Sequence, residues 1–146
     1  MAVGFLDITD ERVQEFLWEH IVPADIACDY TKADAFKFIY EQVMRGSQWL
    51  VGDLDRRVMF RIFVCNPKVI EPHIMGSAVH MRTVFAEALP LAWERGVEKV
   101  MIWTQHKPIV AIFEHLGFEV EGHFKRMHMV NGELLDLTVL SLEKPK

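Results

Sequence analysis

Cysteine is scarce: Cys28 and Cys65 are the only two, too few for a disulfide framework and suited to a reducing, cytoplasmic setting. Long apolar runs are missing as well. None approaches the ~18 residues that a membrane-spanning helix needs, and the first residues lack the basic start and apolar core of a secretory signal. Lysine and arginine form no cluster, and 16 basic against 21 acidic residues leave a formal charge of −5. A nucleic-acid partner needs a basic face, so none is expected. The acidic balance suits a cationic partner such as an amine. Seven histidines are present, yet no spacing among them matches a zinc site and the cysteines do not join them, so no metal is expected. Repeats, linkers and low-complexity tracts are absent. With 146 residues, half of them apolar, the chain is expected to be a single domain with a proper core.

Periodicity supplies the elements. Val3 to Ile8 reads as a short strand, and Thr9 as the N-cap of a helix with Asp10 and Glu11 in its first turn. Val13, Phe16, Leu17, His20 and Ile21 have helical spacing, and Pro23 ends the pattern. Thr31 and Asp34 form a capping-box signature for a second helix, which Gly46 closes. Three strands follow in close order: Gln48 to Asp53, Arg57 to Cys65, and Val69 to about Met75. Ser77 to Arg95 is helical, with a kink or break expected at Pro90, because proline in a helix interior costs about 3 kcal/mol. Val97 to Thr104 is nearly all apolar, the mark of a strand covered on both faces. Pro108 opens a last helix that runs to Leu116.

The closing segment is the most specific. Phe113-Glu114-His115-Leu116-Gly117-Phe118-Glu119-Val120-Glu121-Gly122 carries an apolar helical turn into a glycine stop and then a strand. Asn131-Gly132 is a two-residue hairpin signal, and Asp136 follows it. This combination resembles the C-terminal third of the GCN5-related N-acetyltransferases (GNAT), and most of all the branch that acetylates ribosomal proteins and protein N-termini. The element order agrees over the whole chain, and the closer resemblance covers roughly residues 59 to 143. Divergent copies of this size are familiar from bacteriophage genomes. The resemblance implies an α+β fold: a mixed, mostly antiparallel sheet of six to seven strands with about four helices.

It also implies acetyl-CoA as co-substrate and an amine-bearing acceptor, either a small molecule or a protein N-terminus. The junction His73-Ile74-Met75-Gly76-Ser77-Ala78 occupies the place of the family's pyrophosphate loop, whose small residues let phosphate oxygens approach main-chain N–H groups at a helix N-terminus. His73 stands where the family has Gln or Arg, and Arg82 is a compensating cation. The strand before this loop and the next parallel strand are expected to splay and admit the pantetheine arm, with His106 at a position where the family often has Asn. Tight strand-to-helix packing explains Gly76 and Ala78 equally well, and an ordinary loop position explains His106.

Glu71 and His73 alternate with Ile70, Pro72 and Ile74 and therefore project from one strand face. Either could take a proton from the acceptor ammonium. The family's usual tyrosine acid falls on Phe113, which has no proton to give. Glu121 and Asp136 either line an acceptor groove or are sheet carboxylates balanced by Lys125 and Arg126. Leu137, Val139, Leu140 and Leu142 could form a homodimer seam, and Trp103 is expected in the core or at a subunit contact. Two function classes stay open: an N-acetyltransferase, and a non-catalytic protein of the same fold that serves in binding or assembly.

Overall fold

A computed structural model describes residues 3–21, 31–130 and 132–146. In chain order the elements are β1 (Gly4–Phe5), α1 (Glu11–His20), α2 (Lys32–Arg45), β2 (Gln48–Asp53), β3 (Val58–Asn66), β4 (Val69–Gly76), α3 (Met81–Glu94), β5 (Lys99–Thr104), α4 (Lys107–His115), β6 (Glu119–Val130) and β7 (Glu133–Glu143). The strands make one sheet in the order β1-β2-β3-β4-β5-β7-β6, and β4 beside β5 is its parallel pair. The α+β layout of a mostly antiparallel mixed sheet follows the expectation. No helix among the described residues is long and apolar enough to cross a membrane, which says nothing about β-barrels.

Two apolar clusters cover the two sheet faces. On one face Val51, Phe60, Ile62, Ile70, Val100, Ile102 and Leu140 pack under Val84 and Phe85 of α3 and Phe113 of α4. On the other, Leu50, Met59 and Met75 pack under Phe16 and Leu17 of α1 and Ala35 and Ile39 of α2. The second cluster draws its strand residues from β2, β3 and β4 only, so the half of that face made by β5, β7 and β6 has no helix from it.

Local chemistry sets most boundaries and moves a few. Thr31 caps α2 in the predicted capping box, its side chain accepting from the Asp34 N–H while Asp34 accepts from the Thr31 N–H. The cap of α1 is Asp10 rather than Thr9: Asp10 accepts from the Arg12 N–H at 2.8 Å, whereas Thr9 is held by the Asp7 carboxylate in the preceding turn. Pro23, read as the stop of the first helix, lies outside the described residues. The first strand is shorter than predicted, with two residues paired to β2.

Of the kink or break expected at Pro90, the break does not occur. Helix α3 runs through it, because Pro90 and Ala86, whose carbonyl loses its partner, both lie on the exposed side where water can serve that oxygen. The helix also starts later than Ser77, at Met81, which leaves a short turn between β4 and α3.

Candidate active site

The sheet opens in its middle. β3 pairs with β4 as far as Val58↔Gly76, and β5 pairs with β7 as far as Thr104↔Thr138. Between β4 and β5, however, the pairing stops after Val69↔Lys99 and Ile70↔Val100. From Glu71 and Met101 onward the two parallel strands diverge and leave main-chain polar groups on facing edges. Pro72 supplies a cause. A proline inside so continuous a β3–β4 ladder turns its nitrogen away from β3 and toward β5, where it offers no N–H for the next rung.

Glu71 and His73 stand at this opening on the sheet face covered by α1 and α2. They are register partners of Phe63 and Arg61. The His73 Nε2–H donates to Glu71 Oε1 at 3.2 Å, and the imidazole lies 4.5 Å from the Phe63 ring at 53°. The Arg61 guanidinium sits 4.8 Å from the same ring on its own strand. Both members of the pair are partly accessible, with side-chain exposures of 42% for His73 and 27% for Glu71. The pair is thus oriented by its neighbours and still open to a ligand. Such an arrangement offers two groups, the carboxylate and the imidazole, either of which can accept a proton from a ligand.

The remaining predicted residues divide into two groups. Ile74 and Met75 belong to β4, where Ile74 packs against the α3 face and Met75 is buried under α1 and α2. Gly76, Ser77, Ala78 and Arg82 make the turn and the first turn of α3. The cap position of that helix, His80, offers no side-chain cap bond, and no acidic residue lies in the first turn. Its leading N–H groups are therefore available to an anion. Arg82 is exposed, and its side chain makes no hydrogen bond or ion pair among the described residues. Gly76 has a local structural reason of its own. Its φ is +105°, and a Cβ there would fall 2.0 Å from the Arg57 carbonyl oxygen, with the Ser77 N–H donating to that same oxygen at 2.8 Å. His106 is exposed at the head of α4, its N–H donating to Thr104 Oγ1 at 3.1 Å.

Phe113 lies in the core on the sheet face opposite Glu71 and His73. It has no exposed surface and packs at 4.9 Å from the Phe85 ring and 5.1 Å from the Phe118 ring. Its carbonyl accepts from the Phe118 N–H while the Glu114 carbonyl accepts from Gly117, whose φ is +97°. This is a Schellman stop with its customary apolar contact, here between Phe113 and Phe118. On the closing hairpin Asn131 lies outside the described residues; the flanking pair Val130↔Glu133 and a Gly132 φ of +78° fit a two-residue turn.

The two hairpin carboxylates singled out by the sequence, Glu121 and Asp136, are engaged. Glu121 accepts from Lys99 Nζ and from Ser141 Oγ, each at 2.6 Å, and these bonds hold its carboxyl below the usual range. Asp136 accepts the Arg126 N–H at 3.0 Å across a bulge and lies 3.5 Å from His123; the Arg126 bond first, and His123 after it, lower its pKa. Leu137, Val139 and Leu140 are buried within the chain itself and Leu142 is half-buried. No group of three or more potential metal-ligating side chains occurs among the described residues.

Cys65 reports on the pair. Partial burial of its thiol and, second, the Glu71 carboxylate both disfavour the thiolate and raise its pKa. In a Cys28→Ser background, iodoacetamide alkylation of Cys65 is expected to titrate above the ordinary thiol range. Glu71→Gln removes one of the two causes and should move that midpoint down. An unchanged midpoint would place the carboxylate away from the sulfur.

Sequence reasoning missed Pro72, Trp103 and Phe124. Strand β5 is not covered on both faces: Val100, Ile102 and Thr104 are buried while Trp103 is 45% exposed. A proline inside an otherwise regular strand was the available signal for the opening.

The sheet order, the opening between the parallel strands and the helix layers define the acyl-CoA N-acyltransferase (GNAT) fold. No protein-family model matches the sequence, and no curated protein matches it. Solved structures do match. A variant of the spermidine N-acetyltransferase SpeG from Vibrio cholerae superimposes with a TM-score of 0.77 at 15% identity, over 98% of this chain and 95% of that one. The proposed acetyltransferase yncA from Salmonella typhimurium, solved with its cofactor acetyl-CoA, gives 0.73 at 14% identity over 100% and 95%. A proposed phosphinothricin N-acetyltransferase gives 0.72 at 18% identity over 99% of both chains.

Proposed function

We propose that the chain is an acetyl-CoA-dependent N-acetyltransferase acting on a primary amine, a small molecule or a protein N-terminus. The observation that carries this reading is the Glu71–His73 pair, hydrogen-bonded at 3.2 Å, at the point where β4 and β5 part. Acetyl-CoA supplies an activated acetyl thioester. The unpaired strand edges offer main-chain partners to its amide-bearing arm, and the uncapped start of α3 with Arg82 suits its phosphates. An amine attacks only when neutral, so the ammonium first loses a proton to the Glu71–His73 pair. As the new N–C bond forms, the C–S bond breaks, and the second proton that the nitrogen sheds passes through solvent to the thiolate. His106 is available at the head of α4 for a polar contact to the same arm. A cytoplasmic location belongs to the same reading and suits the free thiol of Cys65.

Two measurements test this. Saturating acetyl-CoA, at about 100 times its Kd, should stabilise the protein by about 2.7 kcal/mol. Glu71→Gln should lower kcat by about a hundred-fold or more, as expected for loss of a general base, while leaving coenzyme affinity nearly intact. No thermal shift at millimolar acetyl-CoA would overturn the enzyme and leave a non-catalytic binding component.

A further inference from the structure

Across the opening from Glu71 and His73 lies a pair of aromatic rings that the proposed reaction does not yet use. Counting on from the register Val69↔Lys99, Glu71 corresponds to Met101 and His73 to Trp103 across strands that are no longer paired, all on one sheet face. On that face β5 is followed by β7 and then β6, with Trp103 opposite Val139, Val139 opposite Gly122, and Leu137 opposite Phe124. The Trp103 and Phe124 rings are parallel within 8°, their centroids 6.4 Å apart. Gly122 makes this possible: a Cβ there would come within 3.2 Å of Phe124 Cε2, so the missing side chain leaves room for the ring. The rings are 45% and 40% exposed, a large unburied apolar surface for two residues packed so regularly.

Charge narrows the occupant. On this face Glu121 is committed to Lys99 and Ser141, Asp136 lies on the other face, and Glu119, opposite Ser141, is on the side of Gly122 away from Phe124. A second ammonium beside the rings finds Glu121 already neutralised, whereas a flat uncharged ring finds two faces to lie against. Resting on the acetyl-transfer reading for the amine end, we propose that Trp103 and Phe124 form the acceptor-side wall of the cleft and select a primary amine that carries an aryl group. The amine reaches the Glu71–His73 pair while the aryl group lies on the wall.

The test uses the full chain with coenzyme A and compares 2-phenylethylamine, n-hexylamine and spermidine by calorimetric titration, with KM and kcat measured under acetyl-CoA. The aryl amine is expected to bind roughly three- to ten-fold more tightly than the alkyl amine, the range that ring stacking supplies. Trp103→Ala should erase that preference through KM rather than kcat, and Trp103→Phe should keep most of it. Phe124→Leu gives a second variant of unchanged apolar character should Trp103→Ala fail to fold. Best binding of spermidine, no binding of any amine, or a preference that survives Trp103→Ala would overturn the wall. The two readings separate cleanly. Aryl preference in binding without turnover of any amine defeats acetyl transfer and leaves the wall, while turnover without aryl preference defeats the wall alone.

Discussion

Phe113→Ala is expected to destabilise the fold by about 3–5 kcal/mol, the range for truncating a fully buried phenylalanine. Three observations set the size. The ring has no exposed surface, it meets the Phe85 and Phe118 rings edge-on, and it closes the Schellman stop that turns α4 into β6. Denaturant melts should show the loss directly, with Tm lower by about 10 °C for a chain of this size. The informative companion is Phe113→Tyr, which places the family's usual acid at its sequence position. A hydroxyl added to so enclosed a ring is buried without an evident acceptor, at about 1–3 kcal/mol. Tyrosine is therefore expected to lower stability and to leave kcat no higher. A gain in kcat with unchanged Tm would show that position 113 reaches the reacting atoms, contrary to its packing here.

Gly76→Ala is the second large effect, at least about 2 kcal/mol. The residue has a φ of +105°, and a Cβ would fall 2.0 Å from the Arg57 carbonyl oxygen and 2.9 Å from Phe16 Cζ. Backbone cannot yield there, because the Ser77 N–H already bonds that oxygen and Arg57 itself has a positive φ of 57°. The melting temperature of the coenzyme-free variant should drop. A stable variant that merely loses acetyl-CoA affinity would mean that the glycine serves phosphate approach instead of the closeness of β3 and β4. The motif glycine thus meets a packing requirement whether or not a phosphate lies beside it.

The candidate site was legible in part. Alternation along a strand puts residues two apart on one face, so Glu71 and His73 could be paired from their spacing, and the 3.2 Å bond between them agrees. The partners that orient them could not be read, because Phe63 and Arg61 arrive from another strand through a register the sequence does not state. Trp103 shows the opposite failure. Its strand is apolar throughout, yet the helices that would cover its second face lie over β2, β3 and β4 instead. An apolar run reports composition, whereas coverage depends on where distant elements land.

What the sequence determined by itself was mostly local: the capping box at Thr31, the glycine stop after α4, the strand–helix order and, through that order, the fold. These follow from backbone dihedrals, caps and periodicity, which act over a few residues. Tertiary structure alone decided three further matters. It buried position 113 in the core, where Phe85 of α3 and Phe118 just before β6 close over it. It committed Glu121 and Asp136 to neighbours brought in by sheet register. It also set the aromatic pair across an opening from Glu71 and His73, because pairing between β4 and β5 ends after two residues. Each depends on contacts between segments far apart in the chain, where no single window of residues carries the information.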